Sequence, residues 1–133
     1  MTRKQVAQKS AVVLDTSAVI AYMLGETGGA RVQAALQGAL LSSVNLCEVV
    51  SNFAERGEDA QTVLGDVLGM ALEVVPFSSA HARMAAALHP PTPYLGLGDR
   101  ACLALGLERG SAVLTADQPW TELDQIHQIA VIR

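Results

Sequence analysis

Short apolar runs, several of them rich in β-branched residues, recur along the chain, and helical spacing separates most of them. The predicted strands cover residues 11–14, 39–42, 73–76, 112–115 and 129–132. The predicted helices cover residues 17–24, 30–36, 46–56, 60–72, 80–88 and 99–108. Strands that alternate with helices pair in parallel, because each helix packs back onto the sheet as a crossover. The pattern therefore predicts an α/β fold, a three-layer α/β/α sandwich with a mostly parallel central sheet.

The size and composition of the chain fit one domain with an ordinary hydrophobic core. The chain has 133 residues, of which 50% are hydrophobic and 4% aromatic, so Ala, Val and Leu must fill the core. No apolar run reaches the roughly 18 residues that span a bilayer. Residues 1–10 are basic and polar and do not resemble a signal peptide. We expect a single cytoplasmic domain over residues 1–133, with residues 1–10 as a flexible extension and no membrane association.

The net charge and the cysteines exclude some functions. A net charge of −4 argues against a protein that coats nucleic acid through a broad basic surface. It leaves open an enzyme that holds nucleic acid through metal ions. Cys47 and Cys102 lie in apolar helical patterns without metal-ligand spacing, so we expect both to be buried free thiols.

Four acidic residues lie where strands end or helices begin. Asp15 and Asp117 each follow a predicted strand, and Glu48 and Asp99 lie in the first turns of predicted helices. Ligands of open α/β sheets bind at the carboxyl ends of the strands, so we expect these acids to meet. Two carboxylates about 4 Å apart repel by roughly 4 kcal/mol at an effective dielectric near 20, so the group needs protons or a cation. Oxygen ligands without His or Cys favour Mg²⁺ or Mn²⁺ over zinc.

Each acid also has a purely structural explanation. Asp15 is a candidate N-cap, and Asn45 and Glu48 have the spacing of a capping box. Asp99 would be favoured by the dipole of its helix, and Asp117 is a candidate turn residue. Taken singly, each explanation is at least as good as a functional one. It is less plausible that all four acids take such positions for structural reasons alone, in a chain with only 17% charged residues.

Polar residues beside the acids are candidates for a supporting role. Thr16 and Ser17 follow Asp15, and Thr115 precedes Asp117 by two positions. Their hydroxyl groups either hold the carboxylates and bound waters or cap local turns. Asn45 either binds a ligand water or caps its helix, and we favour the cap.

Three further side chains have simpler interpretations. His81 lies in a predicted helix and could face solvent. Arg100 either contacts a substrate phosphate or pairs with a nearby acid, and the surface ion pair is the favoured interpretation. Trp120 could stack on a base, but packing behind Asp117 is the favoured interpretation.

Four segments, in order, resemble the acidic motifs of PIN domains. They are VVLDTSA at 12–18, SVNLCEVV at 43–50, LGDRACLA at 97–104 and VLTAD at 113–117, the last followed by Trp120. The length resembles that of the VapC group, toxins of bacterial toxin–antitoxin pairs. The resemblance implies a Mg²⁺- or Mn²⁺-dependent endoribonuclease, in which Asp15, Glu48, Asp99 and Asp117 match the family's acidic positions. It also implies a VapB-like antitoxin partner and a homodimer.

Two other functions remain as alternatives. An aspartyl phosphatase would use Asp15 as nucleophile. Such enzymes carry a second acid two residues on, where this chain has Ser17, and a lysine near the phosphate, whereas no lysine follows Lys9. A non-catalytic PIN-like binding module is the other alternative. The complete acid set argues against it, because a scaffold has no need to tolerate the repulsion.

Overall fold

Strands and helices alternate through the part of the chain that the computed structural model describes, residues 11–117, 120 and 129–132. The strands are β1 (Val13–Leu14), β2 (Leu40–Ser42), β3 (Glu73–Val75), β4 (Val113–Thr115) and β5 (Ile129–Val131). The helices are α1 (Thr16–Met23), α2 (Gly29–Ala35), α3 (Ser43–Glu55), α4 (Ala60–Leu68), α5 (Ser79–Ala87) and α6 (Leu97–Arg109). The expected extension over residues 1–10 lies outside the described residues.

The five described strands form one sheet in the order β3-β2-β1-β4-β5, and every pairing is parallel. From β1 the chain moves outward to β2 and β3, then crosses back to place β4 on the other side of β1. The strand order therefore reverses between β1 and β4, which is where ligands bind in open α/β sheets.

Two hydrophobic cores lie on opposite faces of the sheet, because successive side chains of a strand point to opposite faces. Leu14, Leu41 and Leu114 contribute to the core covered by α1–α4. Their neighbours Val13, Leu40 and Val113 contribute to the core covered by α6, against which α5 packs. Crossovers that run in opposite directions along the sheet put their helices on opposite faces. The predicted three-layer sandwich is confirmed, and all described strand pairs are parallel.

Most element boundaries agree with the predictions to within two residues, but α3 and α4 differ. Helix α3 begins at Ser43, three residues earlier than predicted, because the Ser42 hydroxyl accepts a hydrogen bond from the backbone N–H of Val44 at 3.2 Å and caps it. The predicted capping box of Asn45 and Glu48 is therefore wrong. Helix α4 ends at Leu68, before the predicted residue 72, with Gly69 as its C-cap.

The cysteine prediction is half right. Cys102 is buried, as expected, but Cys47 is exposed. The buried residues of α3 are Asn45, Val49 and Phe53, spaced by four, so Cys47 lies on the opposite side of the helix.

His81 and Arg100 join α5 to α6. His81 lies on a helix as predicted, but it does not face solvent, and the expected ion pair of Arg100 is not found among the described residues. His81 is only 2% exposed, and its Nε2 lies 2.8 Å from a carboxylate oxygen of Glu108. Its Nδ1 accepts from the backbone N–H of Ser78, which completes a capping box at the start of α5. The Arg100 guanidinium donates to the carbonyl of Ala85 at 3.1 Å and forms no ion pair with a described residue.

None of the described helices is both long enough and apolar enough to cross a membrane. The longest, α3 and α6, have 13 residues each. A bilayer-spanning helix needs about 20.

Candidate metal centre

Asp15 follows β1 and is 4% exposed. Its Oδ1 accepts hydrogen bonds from the backbone N–H of Ala18 at 2.8 Å and from the Ser17 hydroxyl at 2.7 Å. Its Oδ2 accepts from the Thr115 hydroxyl at 2.6 Å. The expected N-cap role is confirmed by the Ala18 bond. A cap at the carboxyl end of a central strand also directs the carboxylate to the sheet edge where ligands bind.

Hydrogen bonds tie the ends of β1 and β4 together and bring Asp117 to the same edge. The Ser17 hydroxyl accepts from the backbone N–H of Ala116 at 2.9 Å. The Thr115 hydroxyl accepts from the backbone N–H of Asp117 at 3.0 Å. These contacts follow from the parallel pairing of the two strands, which places residue 14 beside residue 114. Asp117 itself is exposed at this edge.

Glu48 lies in the second turn of α3 and reaches α1 and α6. Its Oε1 accepts from the Thr16 hydroxyl at 2.6 Å and from the Asn45 amide nitrogen at 3.1 Å. The same amide nitrogen lies 3.1 Å from the Thr16 hydroxyl oxygen and 3.1 Å from the Gly98 carbonyl oxygen. Because the carboxylate and the carbonyl can only accept, the nitrogen of the Asn45 amide must face them.

The position of Asn45 corrects the favoured interpretation of this residue as a helix cap. Asn45 is 1% exposed inside α3, and its side chain connects α1, α3 and α6. Its Oδ1 is buried without a hydrogen-bond partner among the described residues. The residue therefore fixes Glu48 within the acidic group, and it does not begin the helix.

Asp99 lies in the first turn of α6, close enough to the other three acids for its charge to interact with theirs. Burial raises the pKa of Asp99, and the nearby charges of Glu48 and Asp117 raise it further. Burial raises the pKa of Asp15 to about 6, against the lowering effect of its hydrogen bonds, and the charge of Asp99 adds to the increase. The charges of Glu48 and Asp117 thus act on Asp99, and the charge of Asp99 acts on Asp15, which places Asp99 within electrostatic range of the other three predicted acids.

The donor set of this acidic group fits a hard divalent cation. All four side chains offer carboxylate oxygens, and none is ion-paired with a basic residue in the described part of the chain. Among the described residues, no three His, Cys, Asp or Glu side chains are grouped tightly enough to form a ready-made metal site. Oxygens of Asp15 and Glu48 accept hydrogen bonds from hydroxyl and amide donors.

Trp120 packs in the core next to Asp117. It is 2% exposed and packs in the core covered by α6, and its backbone N–H donates to the carbonyl of Asp117 at 3.1 Å. The predicted packing role is confirmed. Gly98, by contrast, was not predicted to belong to this group. Its sequence signal is a glycine directly before an acid at the start of a helix, where glycine is a poor choice.

The fold and the acidic edge define an α/β protein whose candidate site lies where the strand order reverses. The sequence pattern of the PIN domain family matches residues 12–126. The chain belongs to the PIN domain family. No curated protein sequence matches it.

Solved structures similar to this one cover nearly the whole chain. A toxin-antitoxin complex from Klebsiella pneumoniae matches with a TM-score of 0.74 and 17% identity, over 92% of this chain and 98% of the other. DNA-bound VapBC from Salmonella typhimurium matches with a TM-score of 0.72 and 19% identity, over 92% and 98%. VapBC-5 from Mycobacterium tuberculosis matches with a TM-score of 0.62 and 24% identity, over 93% and 98%. At these identities the similarity establishes the fold.

Proposed function

We propose that this protein is a metal-dependent endoribonuclease, the VapC-like toxin of a toxin–antitoxin pair, with one nuclease domain over residues 1–133. The observation that carries the proposal is a group of four carboxylates where the strand order of a PIN fold reverses, in which the pKa values of Asp15 and Asp99 are raised and no member pairs with a basic residue among the described residues. PIN-domain nucleases generally use divalent metals. Such a group is stable near neutral pH when a cation offsets the repulsion.

Asp15, Glu48, Asp99 and Asp117 are the proposed ligands of Mg²⁺ or Mn²⁺. When bound, the ion would lower the pKa of a water molecule and offset the charge of the scissile phosphodiester. The protein's own contribution is orientation. Ser17 and Thr115 hold Asp15, while Thr16 and Asn45 hold Glu48, so these carboxylates lose little freedom when a ligand binds.

The partners of the similar structures suggest the partners of this chain. Those structures come from toxin–antitoxin systems, and one of them is bound to DNA. We infer that this chain also binds a VapB-like antitoxin and forms a homodimer. Acting on cellular RNA, it would work in the cytoplasm.

The test is cleavage of total RNA by the purified protein with Mg²⁺ or Mn²⁺. We expect cleavage that stops in EDTA and is lost in Asp99→Asn, which keeps the size of the side chain and removes its charge. Asp66→Asn is the matched control, because Asp66 is an exposed acid on α4. Cleavage at the wild-type rate by Asp99→Asn would contradict the site assignment.

A non-catalytic binding module is the second candidate, favoured by the absence of a ready-made metal site among the described residues. Calorimetry that detects no Mg²⁺ or Mn²⁺ binding, together with no RNA cleavage, would support it. The aspartyl phosphatase alternative is weaker, because Ser17 stands where such enzymes carry a second acid and no lysine follows Lys9. Trapping of a phosphorylated Asp15 would revive it.

A further inference from the structure

Gly98 is the second residue of α6 and lies directly before Asp99. It is buried, and a methyl group built on its Cα would overlap both oxygens of the Glu48 carboxylate. Gly96, two residues earlier, differs in this respect, since nothing lies within 4 Å of a methyl group built there. The contact with Glu48 is therefore specific to position 98.

The backbone does not explain a glycine at this position. The glycines with positive φ in the described residues are Gly25, Gly28, Gly38, Gly57 and Gly110. Gly98 is not among them, so any residue can adopt its conformation. Glycine is also one of the weakest helix formers. What distinguishes position 98 is the carboxylate that occupies the space of a side chain.

The carbonyl of Gly98 makes a second connection to Glu48. It accepts a hydrogen bond from the Asn45 amide, which also donates to Glu48 Oε1. Glu48 is thus held by the Thr16 hydroxyl on one side, by Asn45 on another and by the bare backbone of α6 on a third. These contacts place a flexible side chain from α3 against the turn that carries Asp99.

We propose that Gly98 is a positioning residue for Glu48, because the missing side chain leaves the space that the Glu48 carboxylate occupies beside the turn carrying Asp99. As a metal-site inference it rests on the proposed function. A side chain at position 98 would displace the Glu48 carboxylate and leave the fold intact, since the atoms it meets are the end of a flexible side chain. Gly98→Ala then acts like the loss of Glu48.

Calorimetric titration with Mn²⁺ tests this on four variants: Gly98→Ala, Gly96→Ala, Glu48→Ala and the double variant Gly98→Ala/Glu48→Ala. We expect Gly98→Ala and Glu48→Ala each to weaken Mn²⁺ binding by about 10- to 100-fold. The double variant should bind no more weakly than Glu48→Ala, and Gly96→Ala should bind like the wild type. Wild-type affinity in Gly98→Ala, or a further loss in the double variant, would overturn the proposal.

Melting temperatures in EDTA test the Gly98–Glu48 contact without metal. Alanine favours the helix, so Gly98→Ala should raise the melting temperature of the Glu48→Ala variant by roughly 3 °C. When Glu48 is present, Gly98→Ala must also displace the Glu48 carboxylate, and the cost of this displacement should cancel the gain in melting temperature. Equal shifts in both backgrounds would refute the contact. If the wild type binds no Mn²⁺, the proposed function fails, and these temperatures still decide the role of Gly98.

Discussion

Thr115 at the end of β4 donates its hydroxyl hydrogen to Asp15 at the end of β1, over 2.6 Å. The same hydroxyl accepts from the backbone N–H of Asp117 at 3.0 Å. One buried hydroxyl therefore orients one acid of the group and the backbone of another. The contact exists because β1 and β4 are neighbours where the strand order reverses.

Replacing Thr115 with valine tests the importance of this hydroxyl, because valine keeps the shape and removes both hydrogen bonds. We expect Mn²⁺ affinity and RNA cleavage to fall by about 10- to 100-fold, as for other groups that orient metal ligands. Stability should fall by about 1–3 kcal/mol, because the N–H of Asp117 loses its partner. Titration calorimetry and thermal unfolding measure the two effects. Thr27→Val, at an exposed loop position, is the control, and wild-type Mn²⁺ affinity in Thr115→Val would refute the role.

The raised pKa of Asp15 predicts that the metal-free protein loses stability as pH rises. The usual value is 3.8 and the folded value is about 6, so the folded state binds this proton more tightly than the unfolded chain. The favourable contribution is complete below about pH 3.8 and is lost as pH rises through about 6. Asp15→Asn should remove this slope and stabilise the protein at pH 7 in EDTA by about 1–3 kcal/mol, while abolishing cleavage.

Denaturant unfolding in EDTA at pH 4.5, 5.5 and 7 measures the effect of Asp15→Asn. Asp66→Asn, an exposed acid, should follow the wild-type pH profile. An Asp15→Asn variant less stable than the wild type at pH 7 would show that the carboxylate stabilises the metal-free fold.

His81 should be structural, because it is buried between α5 and α6 and paired with Glu108. His81→Ala removes the ring and its capping bond, so we expect a loss of about 2–4 kcal/mol in stability. The cleavage rate of the folded protein should not change. Chemical denaturation and single-turnover cleavage separate the two quantities. His89→Ala, at an exposed position, should alter neither, and a large loss of rate in His81→Ala with stability intact would indicate a chemical role.

The two cysteines should differ in reactivity towards an aromatic disulfide reagent. Cys47 is exposed, whereas burial raises the pKa of the Cys102 thiol, and the charge of Asp15 adds to that effect. One thiol per chain should react in the native protein and two in denaturant. Cys47→Ser should remove the native reaction. Rapid labelling of native Cys47→Ser would show that Cys102 is accessible.

Local patterns in the sequence were sufficient to predict the layers of the fold and the edge of the sheet where the acids lie. Short apolar runs between helical segments predict a parallel sheet, since both signals come from residues close in the chain. The positions of Asp15 and Asp117 directly after strands then place them at one edge. The roles of Asn45 and His81 were misjudged, because each is set by partners on other helices: Gly98 and Thr16 for Asn45, and Glu108 for His81.

By itself, then, the sequence determined an α/β fold and acids at the ends of its strands, because strand and helix periodicity and position along the chain are local properties. Only the tertiary structure decided that β4 lies beside β1, so that Thr115 meets Asp15. It also decided that Glu48 lies against a bare glycine of α6. Both contacts join residues far apart in sequence, and their formation depends on strand order and helix packing that no single segment encodes.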